Sequence, residues 1–270
     1  MVIIHFLPLE RYPPAMNLIN YVGENKATRI YVISTRDDKK SLLRTFTPGS
    51  KRIKIIRTPS IVPGSFSRIF NYLYFYLYSF YLLVKCKPVA VLYFETISSW
   101  PALMYKKLRA NKVKLLVHYH EYIKPDEYTD NMKLIKWMHK MESKMYRLAY
   151  EWISHTNEIR LEKFISDQSL QDWNAPLFHV MPNYPSKFWG IPKERFNYNT
   201  KTKLVYVGSL GYDNMYLKQI VDWVLAHNTM LSLDLYAYNI DSKAKNFLHS
   251  VKSDCINYKG GCNYEELPII

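Results

Sequence analysis

Lys203-Leu-Val-Tyr-Val-Gly-Ser-Leu210 reads as a buried strand running into a glycine turn, and a helix pattern over Met215–His227 follows it. A second strand pattern (Leu231–Tyr238), another helix (Lys243–Val251) and a short Ile256–Lys259 strand come next, before the chain ends at Leu267–Ile270. Two or three βα units make half of a parallel α/β domain, and half a sheet leaves one edge and part of its core uncovered. The expectation is a domain left incomplete here, either by truncation or because its second half is supplied elsewhere.

Working back toward the N-terminus, the same alternation has already run through once. Strand-like runs fall at Val2–Phe6, Arg29–Ser34, Ile53–Arg57, Val89–Phe94, Lys114–His118, Trp152–Ser154 and His179–Met181. Helical patterns lie between them at Ala15–Val22, Ser67–Val84, Ala102–Ala110, Met132–Tyr150 and Thr156–Phe164. Short apolar strands separated by helices predict a parallel sheet covered on both faces. Pro182–Asn199, rich in Pro, Asn and Lys, is the best linker candidate. The fold class is α/β in two domains, the second incomplete.

The 270 residues carry 48% apolar side chains, 24 tyrosines and a formal net charge of +14, which points to an anionic partner. Nucleic acid, nucleotide phosphates and an acidic membrane surface all qualify. Basic residues are interleaved with acids and form no arm or tail, which argues against nucleic acid. Cys86, Cys255 and Cys262 have no CxxC spacing, so no disulfide framework or zinc site is indicated and a reduced, cytoplasmic setting is expected. The strand beginning at Val2 leaves no room for a signal peptide.

Two helices bear on a membrane partner. Ile69–Val84 is uncharged, rich in Tyr, Phe and Leu, and shorter than the ~20 residues a span needs. It is expected as a buried helix of the domain, with membrane contact as the alternative. In the 132–150 helix, Leu134, Met138, Met141, Met145 and Leu148 make one apolar stripe. Lys133, Lys136, Lys140, Lys144 and Arg147 make a second, which is either a solvated face or a surface for anionic lipid.

The densest polar cluster is Leu116-Val-His-Tyr-His-Glu-Tyr122, at the carboxyl end of a strand. Open parallel sheets bind ligands just outside those ends, so His118, His120 and Glu121 stand where chemistry is expected. His-x-His with Glu can ligate a metal, but no further ligand at suitable spacing joins them, and ordinary strand-end polarity is the plain alternative. Val207-Gly-Ser-Leu-Gly211 is a second candidate, because a glycine turn before a helix suits a phosphate. It is not the G-x-G-x-x-G fingerprint.

Together these stretches resemble the retaining, nucleotide-sugar glycosyltransferases of the family-four type. Val117-His-Tyr-His-Glu-Tyr122 is similar to the His-Glu strand end of their N-terminal domain, and Met181-Pro-Asn183 to the Pro-Asn turn before their linker. Leu204-Val-Tyr-Val-Gly-Ser-Leu210 resembles the strand that opens their C-terminal domain. Tyr258-Lys-Gly-Gly-Cys-Asn-Tyr-Glu-Glu-Leu-Pro268 resembles their Gly-x-x-x-x-Glu-Glu-Leu segment. The likeness runs through essentially the whole chain, in order.

The resemblance implies the B-type fold of two Rossmann-like parallel-sheet domains. They would be an acceptor-side domain at 1–184, a linker at 185–202 and a partial nucleotide-sugar domain at 203–270. It implies catalytic roles for His120 and Glu121, with His120 approaching the donor sugar, and a donor site of Asn183, Gly208, Ser209 and Lys218. Where the family has an Arg and a Lys to grip the diphosphate, this chain has Ser209 and Asn214, which leaves that task to Lys218 or to a residue beyond 270. The family's pair of glutamates with seven residues between them has no counterpart, since no two glutamates here have that spacing. The chain as it stands is therefore expected to have little or no transferase activity. The implied reaction moves a sugar from a nucleotide diphosphate to a lipid-linked or polysaccharide acceptor, without metal or further cofactor, at the inner face of a membrane. A nucleotide-sugar epimerase of the same fold, or a non-catalytic acceptor-binding subunit that needs a partner chain, are the alternatives.

Overall fold

The structure, a computed structural model, describes residues 1–25, 29–37, 45–61, 66–121, 123–128, 132–172, 177–183, 201–262 and 266. The chain divides into two compact units, one built on Met1–Asp38 and Phe46–Pro185 and the other mainly on Ser186–Ile270. Residues 185–200 of the expected linker, and the final Leu267–Ile270, lie outside the described residues.

The first unit is one parallel sheet of seven strands: β1 (Val2–His5), β2 (Ile30–Thr35), β3 (Ile53–Thr58), β4 (Ala90–Phe94), β5 (Lys114–Tyr119), β6 (Tyr150–His155) and β7 (Phe178–Val180). Their order is β3-β2-β1-β4-β5-β6-β7. The chain builds outward from β1 to one side and then, from β4, to the other, so a topological switch point lies between β1 and β4. Six helices join the strands: α1 (Pro13–Asn25), α2 (Ser67–Cys86), α3 (Ser99–Arg109), α4 (Lys133–Ser143), α5 (Tyr146–Ala149) and α6 (Glu158–Asp167). Ile3, Ile4, Val91, Tyr93, Leu115, Val117 and Ile153 are buried to within 1% of full enclosure, as strands covered on both faces must be.

Two expectations for this unit are corrected. The 132–150 pattern is not one helix: α4 ends at Ser143, Lys144 closes it, and α5 begins at Tyr146. The five cations are all exposed, but Lys133, Lys136 and Lys140 are on α4, Lys144 is at the break and Arg147 is on α5. The second correction concerns α2, which was expected to be buried. Phe75, Tyr76, Ser79, Leu82 and Leu83 face the core, whereas Phe66, Phe70, Leu73, Leu77, Tyr81 and Val84 are exposed. Those exposed positions recur at spacings of 4, 3, 4, 4 and 3, a continuous apolar stripe along the helix. No helix among the described residues is long and apolar enough to cross a membrane.

The second unit has three parallel strands, β8 (Thr202–Leu210), β9 (Leu231–Ile240) and β10 (Ile256–Gly260), in the order β10-β9-β8, with α7 (Leu217–Ala226) and α8 (Ser242–Ser250). Leu217, Val221, Val224, Leu233, Leu235, Ala244 and Leu248 form its core. Leu204 and Tyr206 of β8 pack on that core, while Val205 and Val207 alternate to the other face and are each 41% exposed. Gly208 and Ser209 were expected in the turn; they lie inside β8, across a register shift against β9, and the turn starts at Gly211.

Candidate active site

Parallel strands bring their carboxyl ends to one rim, and in the first unit five of the seven strands, all but β4 and β7, end on a polar residue. The register aligns Ser34, His5, Phe94, His118, Ser154 and His179 in one row across six strands. The next row places Tyr119 beside His155 and Val180. Residues far apart in sequence are thus collected at one edge, next to the switch point.

His118 and His120 share a face, with perpendicular rings 4.7 Å apart. The Ser154 hydroxyl donates to the Val117 carbonyl at 3.2 Å, so it accepts from Nδ1–H of His118 at 2.9 Å. That fixes the tautomer and leaves Nε2 of His118 a buried acceptor without a partner among the described residues. His5 repeats the arrangement, its Nδ1–H donating to the Leu7 carbonyl at 2.7 Å and its Nε2 unpartnered. Each such orphaned acceptor costs about 1–3 kcal/mol. His120 lies just past β5, its ring stacked between Tyr12 at 5.4 Å and Phe94 at 5.3 Å.

Desolvation keeps this cluster neutral. It pushes His5 down to about 3, His118 to about 2, His155 to about 3 and His120 to about 4. Asn183 offsets part of the fall at His120 through a side-chain hydrogen bond, while the Arg160 charge adds to it. Among the described residues no group of three or more His, Cys, Asp or Glu is arranged to hold a metal ion.

Glu95, which the sequence reading passed over, is central. It directly follows β4 with φ 60° and ψ 152°, a conformation that costs a non-glycine residue of order 1–3 kcal/mol. Its N–H donates to the His118 carbonyl at 3.1 Å. Its carboxyl accepts from the backbone N–H of His120 at 2.6 Å and of Glu121 at 3.3 Å. Burial nevertheless pushes that carboxyl up to about 8, so at neutral pH it is mainly the protonated acid. Arg160, set by the Asn157 cap at the start of α6, donates to the His120 carbonyl and lies 3.4 Å from the exposed Glu121 carboxylate. The strained strand end and this arginine clamp the backbone that presents His120.

A cavity of about 240 Å³ opens here, lined by Leu7, Tyr12, Glu95, Glu121 and His155 from the rim and by residues of α4 to α6. Beside its lining residues Thr96 and Tyr119, Glu142 of α4 is fully buried, accepting from Tyr119 at 2.7 Å, from Thr96 at 2.9 Å and from Tyr93. Part of the tyrosine excess is accounted for by this network, in which a buried carboxyl recruits phenols as donors.

The expected donor residues of the second unit look different. Gly208 leaves room for Tyr206, whose hydroxyl would stand 2.9 Å from an added Cβ and which donates to the Ser209 carbonyl at 2.7 Å. The turn at 211–216 is satisfied locally: Asp241 accepts from Tyr212 N–H at 2.9 Å and caps α8, and Lys243 pairs with Asp213 at 2.6 Å. Lys218 is exposed and paired with Asp222 one turn along α7. Of the residues expected from sequence, His120, Glu121 and Asn183 are gathered at the rim of the first unit. Gly208 and Ser209 belong to the second, with Lys218 on the helix that follows.

This architecture recurs in solved structures. A lipopolysaccharide outer core galactosyltransferase (WaaB, apo form) aligns over 99% of this chain and 70% of its own, with TM-score 0.55 and 13% identity. A UDP-N-acetylglucosamine 2-epimerase from Listeria monocytogenes aligns over 98% and 70%, with TM-score 0.63 and 9% identity. Sucrose-phosphate synthase from Thermosynechococcus elongatus aligns over 99% and 72%, with TM-score 0.60 and 11% identity. The chain has the B-type glycosyltransferase fold. No protein-family model and no curated protein sequence matches it.

Proposed function

We propose that the chain is a nucleotide-sugar glycosyltransferase of the retaining, family-four type, whose first unit holds the acceptor in the cavity beside Glu95, His120 and Glu121. The observation that carries the reading is the neutral, partly unsatisfied histidine cluster at the switch point, joined to a protonated Glu95. Neutral imidazole nitrogens accept hydrogen bonds from sugar hydroxyls without attracting an ion, and a protonated carboxyl donates one. His120 and Glu121 act at the reacting hydroxyl, Asn183 orients His120, and the nucleotide end of the donor belongs to the second unit near Gly208, Ser209 and Lys218. The test is a nucleotide-sugar panel with and without glycan acceptors, reading nucleoside diphosphate release and product mass. Acceptor-dependent release supports transfer; its absence with every donor, from the chain joined to a complete second domain, contradicts it.

One observation favours a second reading. Glu95, held protonated by burial, lines the same cavity as Glu121, and two carboxyl groups in one cavity are what acid–base epimerisation of a nucleotide sugar would use. In the same assay, interconversion of the donor sugar without acceptor marks the epimerase.

The exposed apolar stripe of α2 supports membrane association at the acceptor-side unit. α2 and α4 lie on the same side of the sheet, where the Tyr76 hydroxyl meets the Met138 sulfur at 3.9 Å. Lys133, Lys136 and Lys140 on α4, with Lys144 and Arg147 beyond it, add cations that each contribute about 1 kcal/mol at an anionic surface. Replacing Leu73 and Leu77 by Glu is expected to abolish co-sedimentation with anionic vesicles. Sedimentation equal to wild type removes the membrane from the account.

A further inference from the structure

The acceptor cavity beside Glu95 has no lysine or arginine in its lining, so the positive charge of the chain is not used there. A second cavity of about 250 Å³, at the carboxyl ends of β1, β2 and β3, is of the opposite character. Arg11, Arg36 and Arg68 line it together with the polar groups of Thr35, Ser60 and Tyr72, and no Asp or Glu does. The three arginines come from three separate segments, after β1, after β2 and from the first turn of α2. Their neighbours do not cancel them all. Arg11 lies 2.6 Å from Asp37, and the nearby Arg57 is closed off by Glu10 at 2.5 Å. Arg36 and Arg68 are exposed and have no carboxylate partner among the described residues; Arg68 rests over the Tyr72 ring at 5.6 Å.

We propose that this cavity binds a phosphate group of the acceptor. Guanidinium forks from different directions match the oxygens of a tetrahedral dianion, and the hydroxyls of Ser60 and Tyr72 supply further donors. Leu7 lines both this cavity and the one beside Glu95, so the two open on either side of the segment that leaves β1. A phosphorylated acceptor anchored by its phosphate here presents its hydroxyl-bearing part to Glu95 and Glu121 there. The proposal rests on the transferase reading and names its substrate class: an acceptor that carries a phosphate ester, either a soluble sugar phosphate or the phosphate of a lipid carrier.

The test uses the full chain as wild type and as Arg36→Gln/Arg68→Gln, with circular dichroism to confirm that both fold. Inorganic phosphate and glucose 1-phosphate are titrated calorimetrically at constant ionic strength against chloride. Phosphatidylcholine vesicles with and without phosphatidic acid form a second arm. The expected result is saturable phosphate binding by the wild type that is about tenfold weaker or more in the variant, as loss of charge-assisted hydrogen bonds implies. Binding of the soluble ester identifies a sugar phosphate; binding confined to phosphatidic acid vesicles, and lost in the variant, identifies a lipid headgroup. No phosphate-dependent binding in either arm, or equal binding by wild type and variant, overturns the proposal. Nucleoside diphosphate release is read separately, on the chain joined to a complete second domain. Phosphate binding without any transfer leaves the site standing and removes the transferase reading; transfer with phosphate binding indifferent to both arginines does the reverse.

Discussion

The ends of β5 and β8 are both strand termini in parallel sheets, yet they solve the same problem in opposite ways. Beyond β8, every polar group of the turn named above is answered nearby, by Asp241, by the Lys243–Asp213 pair and by the Lys218–Asp222 pair, all at the surface. At the end of β5, the histidines are buried, Nε2 of His118 and of His120 have no partner among the described residues, and a left-handed Glu95 holds the chain in place. Unpartnered acceptors and a strained backbone cost stability, and that cost supports placing the proposed chemistry of the first unit at the end of β5.

The largest expected effect that sharpens this contrast is at His120. In the chain joined to a complete second domain, substitution by Ala is expected to lower nucleotide-sugar turnover by about a hundredfold or more, and to cost some stability too, since the buried ring is stacked between Tyr12 and Phe94. His118→Ala should affect turnover less. Its fully buried ring bonds to Ser154, so destabilisation of about 1–3 kcal/mol should come with a milder loss of turnover. Equal behaviour of the two variants would erase the distinction between the strand and its end.

A smaller effect is set by pH. Four histidines held below their ordinary value of 6.5 are neutral in the fold, so the unfolded chain takes up protons first on acidification. Their stabilisation is complete above pH 6.5 and is lost as pH falls. Glu95 has the opposite sign: raised from 4.5 to about 8, it binds its proton more tightly in the fold, and that contribution is lost as pH rises through 8. Glu142, also raised by burial, acts in the same sense as Glu95. The thermal midpoint should therefore peak near pH 6.5 and decline on both sides, and Glu95→Gln should make the alkaline decline shallower. A midpoint that keeps rising to pH 8 contradicts the buried acid.

The smallest effect belongs to the second unit. Lys218→Met and Asp222→Asn remove an exposed pair, and the thermal midpoint should stay unchanged. A clear drop would mean that the β8 end is not the self-contained surface described here.

How much of this was legible in the sequence follows the physics of each element. The seven strands of the first sheet were readable because buried parallel strands are short continuous apolar runs. His120 and Glu121 followed from the rule that strand ends bind ligands. The same rule applied to β4 reaches Glu95, one residue past the expected strand. Its mark is a left-handed backbone, which an ordinary L-residue does not announce. Arg160 was invisible because its partners are backbone atoms of another loop. The exposed stripe of α2 could not be seen, since Tyr, Phe and Leu surround the helix and no polar face reveals which side is outward. The break after Ser143 carries no Gly or Pro; part of its cause is tertiary, the burial of Glu142 among tyrosine hydroxyls. Gly208 misled for a simple reason: here a glycine sits inside a strand to make room for Tyr206.

The central claim is that the end of β5 is a buried, neutral histidine cluster built for hydroxyl recognition. Imidazole nitrogen chemical shifts of His118 and His120, followed by NMR as pH is lowered in the full chain, test it most directly. The account predicts that both rings stay neutral until about pH 4 or unfolding, with His118 fixed as the Nδ1–H tautomer. Titration of both near 6.5, with mixed tautomers, would show an ordinary solvated strand end and contradict it.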